Sequence, residues 1–159
     1  MRAPDWLTAR PVAHRGLHDA ARGIVENMPA AARAAIAGKF AIECDIQLSA
    51  DGEAMVYHDD ELDRLTEGSG PLRAKAATEL KAVTFKATAE RMMTLADLCA
   101  LVAGRVPLVI EVKSHFDGEL ACDRGLRCAR HVLDDAARGI MQAAMGHRPR
   151  RQPVRCTHR

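Results

Sequence analysis

Glu43 and Asp45 stand one residue apart inside the apolar run Phe40–Leu48, and Glu111 and Lys113 repeat that spacing in the run "VPLVIEVKS". Alternate residues of a strand share a face. If both runs are strands, each carries a charged pair on one side. Ile42, Cys44 and Ile46 take the opposite side of the first, and Ile110 and Val112 that of the second. Buried charge is costly unless it is paired or bound to a metal ion. A structural ion pair of Lys113 with Glu43 or Asp45 would account for either strand alone. For the two strands together, Glu43, Asp45 and Glu111 read better as hard oxygen donors for Mg²⁺ or Ca²⁺; a softer transition metal would call for more His or Cys.

Two histidines strengthen the metal reading. His14 and His58 each end a short apolar run. In α/β folds, ligands bind at the C-terminal edge of the strands. Two histidines beside a metal ion suit a general acid and a general base for phosphoryl transfer. Arg15 would hold a phosphate as a bidentate fork and Lys113 as a point charge. His18, His115, His131, His147 and His158 read as surface or turn histidines.

The elements that must position these groups follow from pattern and punctuation. Residues 11–13, 40–48, 54–57 and 106–112 read as strands. Asn27 reads as the cap of an alanine-rich helix, with Pro29 in its first turn and Gly38 at its end. "SADGE" is a turn centred on Asp51-Gly52. "HDDELDRLTEGSGPLRAKA" reads as a loop and "ATELKAV" as a short helix. In "MTLADLCALVAG", Thr94 and Asp97 resemble a capping box and Gly104 is the stop. An interrupted helix is expected over 118–145. Strands and helices alternate, which predicts an α/β fold with a largely parallel sheet.

Composition excludes several classes. Of the 159 residues, 48% are apolar and 28% charged, as in soluble globular chains. One Trp, one Tyr and three Phe offer few stacking platforms, so no nucleic-acid partner is expected. Five scattered cysteines without CxxC spacing argue against a disulfide framework or a zinc site. They fit a reducing, cytoplasmic setting. No signal peptide is apparent, and no run approaches a membrane span. Up to Asp135 there are 17 Lys and Arg against 21 Asp and Glu, a net −4; from Ala136 onward there are six Arg and no acid.

The ordered series "HRG" at 14–16, "EN" at 26–27, "ECDIQLSADGEAMVYHD" at 43–59 and "EVK" at 111–113 resembles the glycerophosphodiester phosphodiesterase family. "DRLTEGSG" and "MTLADLCALV" extend the match. The resemblance implies a TIM (β/α)8 barrel that hydrolyses glycerophosphodiesters to glycerol 3-phosphate and an alcohol, with Ca²⁺ or Mg²⁺. It implies His14 and His58 as acid–base histidines, Glu43, Asp45 and Glu111 as metal ligands, and Arg15 and Lys113 as phosphate contacts. Such a barrel takes about 250 residues. Only about half its strands are legible here, so the expectation is the N-terminal part of a barrel over 10–137. Residues 138–159 read as a basic, disordered tail with the look of a shifted frame or a truncated gene product. Open sheet edges predict association with a second copy. The alternatives are a non-catalytic fragment of the same family and a related phospholipase D-like phosphodiesterase.

Overall fold

The computed structural model describes Asp5 and residues 9–113 of the chain. The helix expected over 118–145, the basic tail and the boundary at 137 lie outside the described residues. Within them the order is β1 (Val12–Ala13), α1 (Pro29–Ala37), β2 (Ala41–Leu48), β3 (Ala54–Val56), α2 (Ala77–Ala82), α3 (Leu95–Val102) and β4 (Leu108–Val112). Single 3₁₀ turns at Ala20–Arg22 and Leu72–Ala74 interrupt the long connections.

The four strands form one open sheet around β2. β4 runs parallel to β2, with Ile42 opposite Leu108 and Asp45 opposite Glu111. β1 is parallel to the start of β2 and β3 antiparallel to its end. Ile42 pairs with both β1 and β4, and Ile46 with both β3 and β4, so β1 and β3 share the edge of β2 opposite β4. The largely parallel sheet expected from the alternation is present in β1, β2 and β4, with β3 its antiparallel member. The turn before β3 is too short for a crossover. Ser49 closes it: its hydroxyl donates to Asp51 at 2.6 Å and accepts from the Glu53 N–H at 2.9 Å.

One helix end differs from expectation. Met28, not Asn27, occupies the N-cap of α1 and makes no side-chain cap bond. Asn27 instead adopts a left-handed backbone, φ 57°, and its side chain is used elsewhere. Gly38 ends α1 as expected, in a right-handed conformation, and Lys39 follows with φ 55°. The expected box of α3 forms: the Asp97 N–H donates to Thr94 Oγ1 at 3.1 Å, and the Thr94 N–H to Asp97 Oδ2 at 3.0 Å. That helix ends at Ala103 and Gly104, both left-handed.

Packing separates the two sheet faces. Ile42, Cys44 and Ile46 bury against Ala32, Ala35, Leu95, Leu98 and Val102, with Leu108, Ile110 and Val112 beside them. Helices α1 and α3 cover that face, each fully buried Leu or Ile contributing about 1.5–3 kcal/mol. A second cluster, with Met55, Tyr57, Leu62, Leu72 and Leu80, fixes the long connection after β3. The main core is thus supplied by the Ile42–Cys44–Ile46 face; Glu43 and Asp45 lie on the other, where Met55 opposite Gln47 joins the second cluster.

Candidate active site

The face arithmetic of β2 places Glu43 and Asp45 together, and the β2–β4 register sets Glu111 directly beside Asp45. One carboxylate oxygen from each of Glu43, Asp45 and Glu111 lies within 4.8 Å of the others. Their surroundings differ sharply. Asp45 is fully buried, whereas the Glu111 side chain is 54% exposed.

Buried Asp45 gathers donors from three segments. Asn27 Nδ2 donates to its Oδ2 at 2.9 Å, Arg15 Nε lies 3.5 Å from the same oxygen, and Lys113 Nζ lies 3.1 Å from Oδ1. The Lys113 contact is an ion pair without good hydrogen-bond alignment, so Oδ1 keeps acceptor capacity. The amide oxygen of Asn27 is a second buried acceptor without a hydrogen bond. Burial pushes the Asp45 carboxyl up, but the Asn27 hydrogen bond and the Lys113 ammonium outweigh it, and the net shift is down. Burial likewise pulls Lys113 down, and Glu111 and Asp45 reverse this, leaving it raised.

The turn after β1 delivers His14 and Arg15. Gly16 carries φ +78°, and a Cβ there would come within 2.9 Å of the Ala31 Cβ on α1, so only glycine fits. Arg15 itself is left-handed, φ 56°. Its backbone N–H donates to Glu43 Oε2 at 2.8 Å, and its NH1 to Glu26 Oε1 at 2.8 Å. Strained backbone at Arg15 and Asn27, two residues joined by an Asn27 N–H to Arg15 carbonyl bond of 2.9 Å, clusters where the charged groups converge. His14 is exposed, with Nε2 3.9 Å from Glu43 Oε2. His18 is exposed, as expected of a surface histidine.

His58 follows β3. Gln47, on the site face of β2, donates to the carbonyls of Tyr57 and Asp59 at 3.1 and 2.7 Å and so aims this segment. His58 Nδ1 lies 2.7 Å from Asp59 Oδ1, and the preceding Tyr57 N–H donates to the Asp45 carbonyl at 3.1 Å. Arg64 grips Asp59 from outside, with Nε 2.5 Å from Oδ2 and NH2 3.0 Å from Oδ1.

The structure thus brings Glu43, Asp45, Glu111, Lys113, His14 and Arg15 into one contiguous set, with His58 at its margin. Lys113 and Arg15, read from sequence as phosphate contacts, are held by carboxylates here. Sequence reasoning gave no role to Glu26, Asp59 or Arg64 and read Asn27 as a cap. The Glu26-Asn27 pair and the charge-dense "HDDELDR" carried the available signal; Asp59 meets His58 and Arg64 within that run, but Glu26 meets Arg64 38 residues on and Asn27 meets Asp45 18 residues on, contacts known only from the fold.

Comparisons with known proteins show which family carries this fold. Residues 14–128 match the model of the glycerophosphoryl diester phosphodiesterase family. The chain belongs to that family. It is 36% identical over 111 residues to a glycerophosphodiester phosphodiesterase of Caldanaerobacter subterraneus, covering 65% of this chain and 44% of that protein. An Oleispira antarctica phosphodiesterase, solved in complex with its product sn-glycerol-3-phosphate, superposes with TM-score 0.67 at 27% identity, over 79% of this chain and 51% of the other. A glycerophosphodiester phosphodiesterase from Agrobacterium tumefaciens gives TM-score 0.61 at 29% identity, over 77% and 52%. The chain spans about half the length of these relatives. Its open α/β sheet matches half of their barrel, the fold expected from the motifs. No helix among the described residues is long and apolar enough to cross a membrane.

Proposed function

We propose that this chain carries the metal- and phosphate-binding half of a glycerophosphodiester phosphodiesterase site, and that it acts on a glycerophosphodiester to give glycerol 3-phosphate and an alcohol. The observation that carries the reading is the meeting of Glu43, Asp45 and Glu111 oxygens within 4.8 Å on one strand face. That separation is about twice a Ca–O or Mg–O bond of roughly 2.0–2.6 Å, the span one such cation bridges. The donors are all oxygen, and Asp45 Oδ1 retains an unused acceptor position. The residues present therefore fit Ca²⁺ or Mg²⁺, with Glu43, Asp45 and Glu111 as its holders. A divalent ion there supplies polarisation of a phosphoryl oxygen and neutralises charge in the transition state.

The chain's own groups do the rest. Arg15, 18% exposed and held by Glu26 and Asp45, presents a guanidinium beside the carboxylates for a phosphate oxygen. Lys113 neutralises Asp45 and Glu111 and can exchange that contact for a phosphate. His14, exposed beside Glu43, and His58, backed by Asp59, move protons. One takes a proton from water or the neighbouring substrate hydroxyl, and the other gives one to the leaving alkoxide. The free buried thiols Cys44 and Cys99 fit a reducing cytoplasm.

The test is release of glycerol 3-phosphate from glycerophosphocholine with Mg²⁺ or Ca²⁺, and with chelator. The reading expects turnover that requires the ion and disappears in His14→Ala and in His58→Ala, with metal binding retained. Ion-dependent turnover unchanged in either variant refutes the histidine assignment.

A further inference from the structure

An open chain of charged contacts links the His58 and Arg15 sides of the site through Arg64. Arg64 NH2 lies 2.6 Å from Glu26 Oε1 and NH1 3.4 Å from Oε2. The same guanidinium binds both oxygens of Asp59, at 2.5 and 3.0 Å. Glu26 Oε1 also accepts from Arg15, and Asp59 holds His58 Nδ1. The order is Arg15, Glu26, Arg64, Asp59, His58. Isolated surface ion pairs contribute little; two-point guanidinium–carboxylate contacts joined in a network are the exception.

The loop that delivers Arg64 is itself fixed. Leu62 and Thr66 are buried, Thr66 Oγ1 donates to the Leu62 carbonyl at 2.8 Å, and the Leu62 N–H reaches the Gly70 carbonyl at 3.1 Å. Lys86 Nζ donates to the Asp63 carbonyl at 2.6 Å, and Asp63 in turn accepts from the Gly70 N–H at 3.1 Å. A guanidinium on a frame of this kind holds its partners in one geometry at low entropic cost.

We propose that Arg64 is a positioning residue: it locks Asp59 against His58 and Glu26 against Arg15, so that one guanidinium sets both the proton-carrying ring and the phosphate fork. Asp59 accepts from Nδ1–H, which leaves His58 Nε2 as the nitrogen that exchanges a proton with substrate. Glu26, shared between two guanidiniums, keeps Arg15 extended along the face of β2. This rests on the roles assigned to His58 and Arg15 above, but its own content is a tautomer and a geometry, both measurable without turnover.

The experiment is ¹⁵N NMR of the histidine ring nitrogens in the full chain, with His58 assigned by its loss in His58→Gln. In the wild type, neutral His58 is expected to carry its proton on Nδ1 by about ten-fold or more, the preference of a charge-assisted hydrogen bond. Arg64→Met should bring the two tautomers to comparable populations, and Arg64→Lys, a charge without a fork, should fall between. His18 should be unaffected by either substitution. In the wild type the Arg64 Nε–H should also resist exchange with water, and Asp59→Asn should remove that protection. Nε2–H as the main wild-type form, unchanged His58 populations in a folded Arg64→Met, or a freely exchanging wild-type Arg64 Nε–H would each overturn the proposal. Loss of activity alone would bear on the function proposed above and not on this chain of contacts.

Discussion

Asp45 and Glu111 belong to one carboxylate cluster, yet their substitutions should differ sharply in cost. Asp45 is fully buried and holds Asn27, Lys113 and Arg15 at 2.9, 3.1 and 3.5 Å. In Asp45→Asn the shape is kept, but the charge goes and an amide N–H must face a donor. Breaking a buried ion pair costs about 3–5 kcal/mol. Arg15 and Lys113 each retain a second carboxylate, Glu26 and Glu111, and are partly solvated, which sets the expectation at the low end, about 3 kcal/mol. That is a fall of roughly 10 °C in midpoint for a domain of this size. Glu111→Gln loses only a half-solvated pair with Lys113 and should stay within about 1 kcal/mol of wild type. With Mg²⁺ or Ca²⁺ near 100 times its dissociation constant, the wild type should gain about 2.7 kcal/mol. Both variants should lose that gain. Thermal and urea unfolding, with and without ion, read all of these values. Equal stability of the two variants would refute the idea that Asp45 holds the cations together. A full ion-dependent gain in either variant would refute the shared metal site.

Other outcomes follow from the same geometry. Asn27→Ala removes the donor to Asp45 and leaves alanine at φ 57°, which should cost about 2–3 kcal/mol in urea unfolding. Gly16→Ala forces a left-handed alanine against Ala31 and should cost about 2 kcal/mol or more, with loss of the turn that carries His14 and Arg15. The Asp45, Glu26 and Asp59 carboxyls are lowered from ordinary values of 3.8, 4.5 and 3.8, so their contribution is complete above those values and is lost as pH falls below them. Lys113 is raised from 10.5, so its contribution is present below that value and is lost as pH rises beyond it. Unfolding free energy against pH should therefore fall on both flanks, and Asp45→Asn should flatten the acid one.

What the sequence disclosed depended on whether the governing interaction was local. The two-residue spacing of Glu43 and Asp45 predicts a shared face because strand periodicity is set by the backbone itself. Thr94 and Asp97 likewise announce a cap whose partners are three residues apart. Asn27 misled for a physical reason. Its local preference is to cap α1, but a buried carboxylate 18 residues on offers a stronger claim on its amide. The antiparallel β3 was latent in the short turn at Asp51-Gly52, which leaves no room for a crossover. The Arg64–Glu26 pair was out of reach, since the two residues are 38 apart and meet only through the buried loop that Leu62 and Thr66 anchor. The family motifs supplied the candidate residues, and the fold showed which carboxylates hold which Arg and Lys side chains.

The central claim is that the β2–β4 face binds a divalent ion and, with Arg15 and Lys113, a phosphate ester. Calorimetric titration of sn-glycerol 3-phosphate into the full chain, with Ca²⁺ or Mg²⁺ and with chelator, tests it without requiring turnover. The account predicts binding only when the ion is present, abolished by Glu43→Gln and weakened by Arg15→Lys, which keeps the charge and loses the fork. Binding of equal strength in chelator, or ion-dependent binding that survives Glu43→Gln intact, would contradict it.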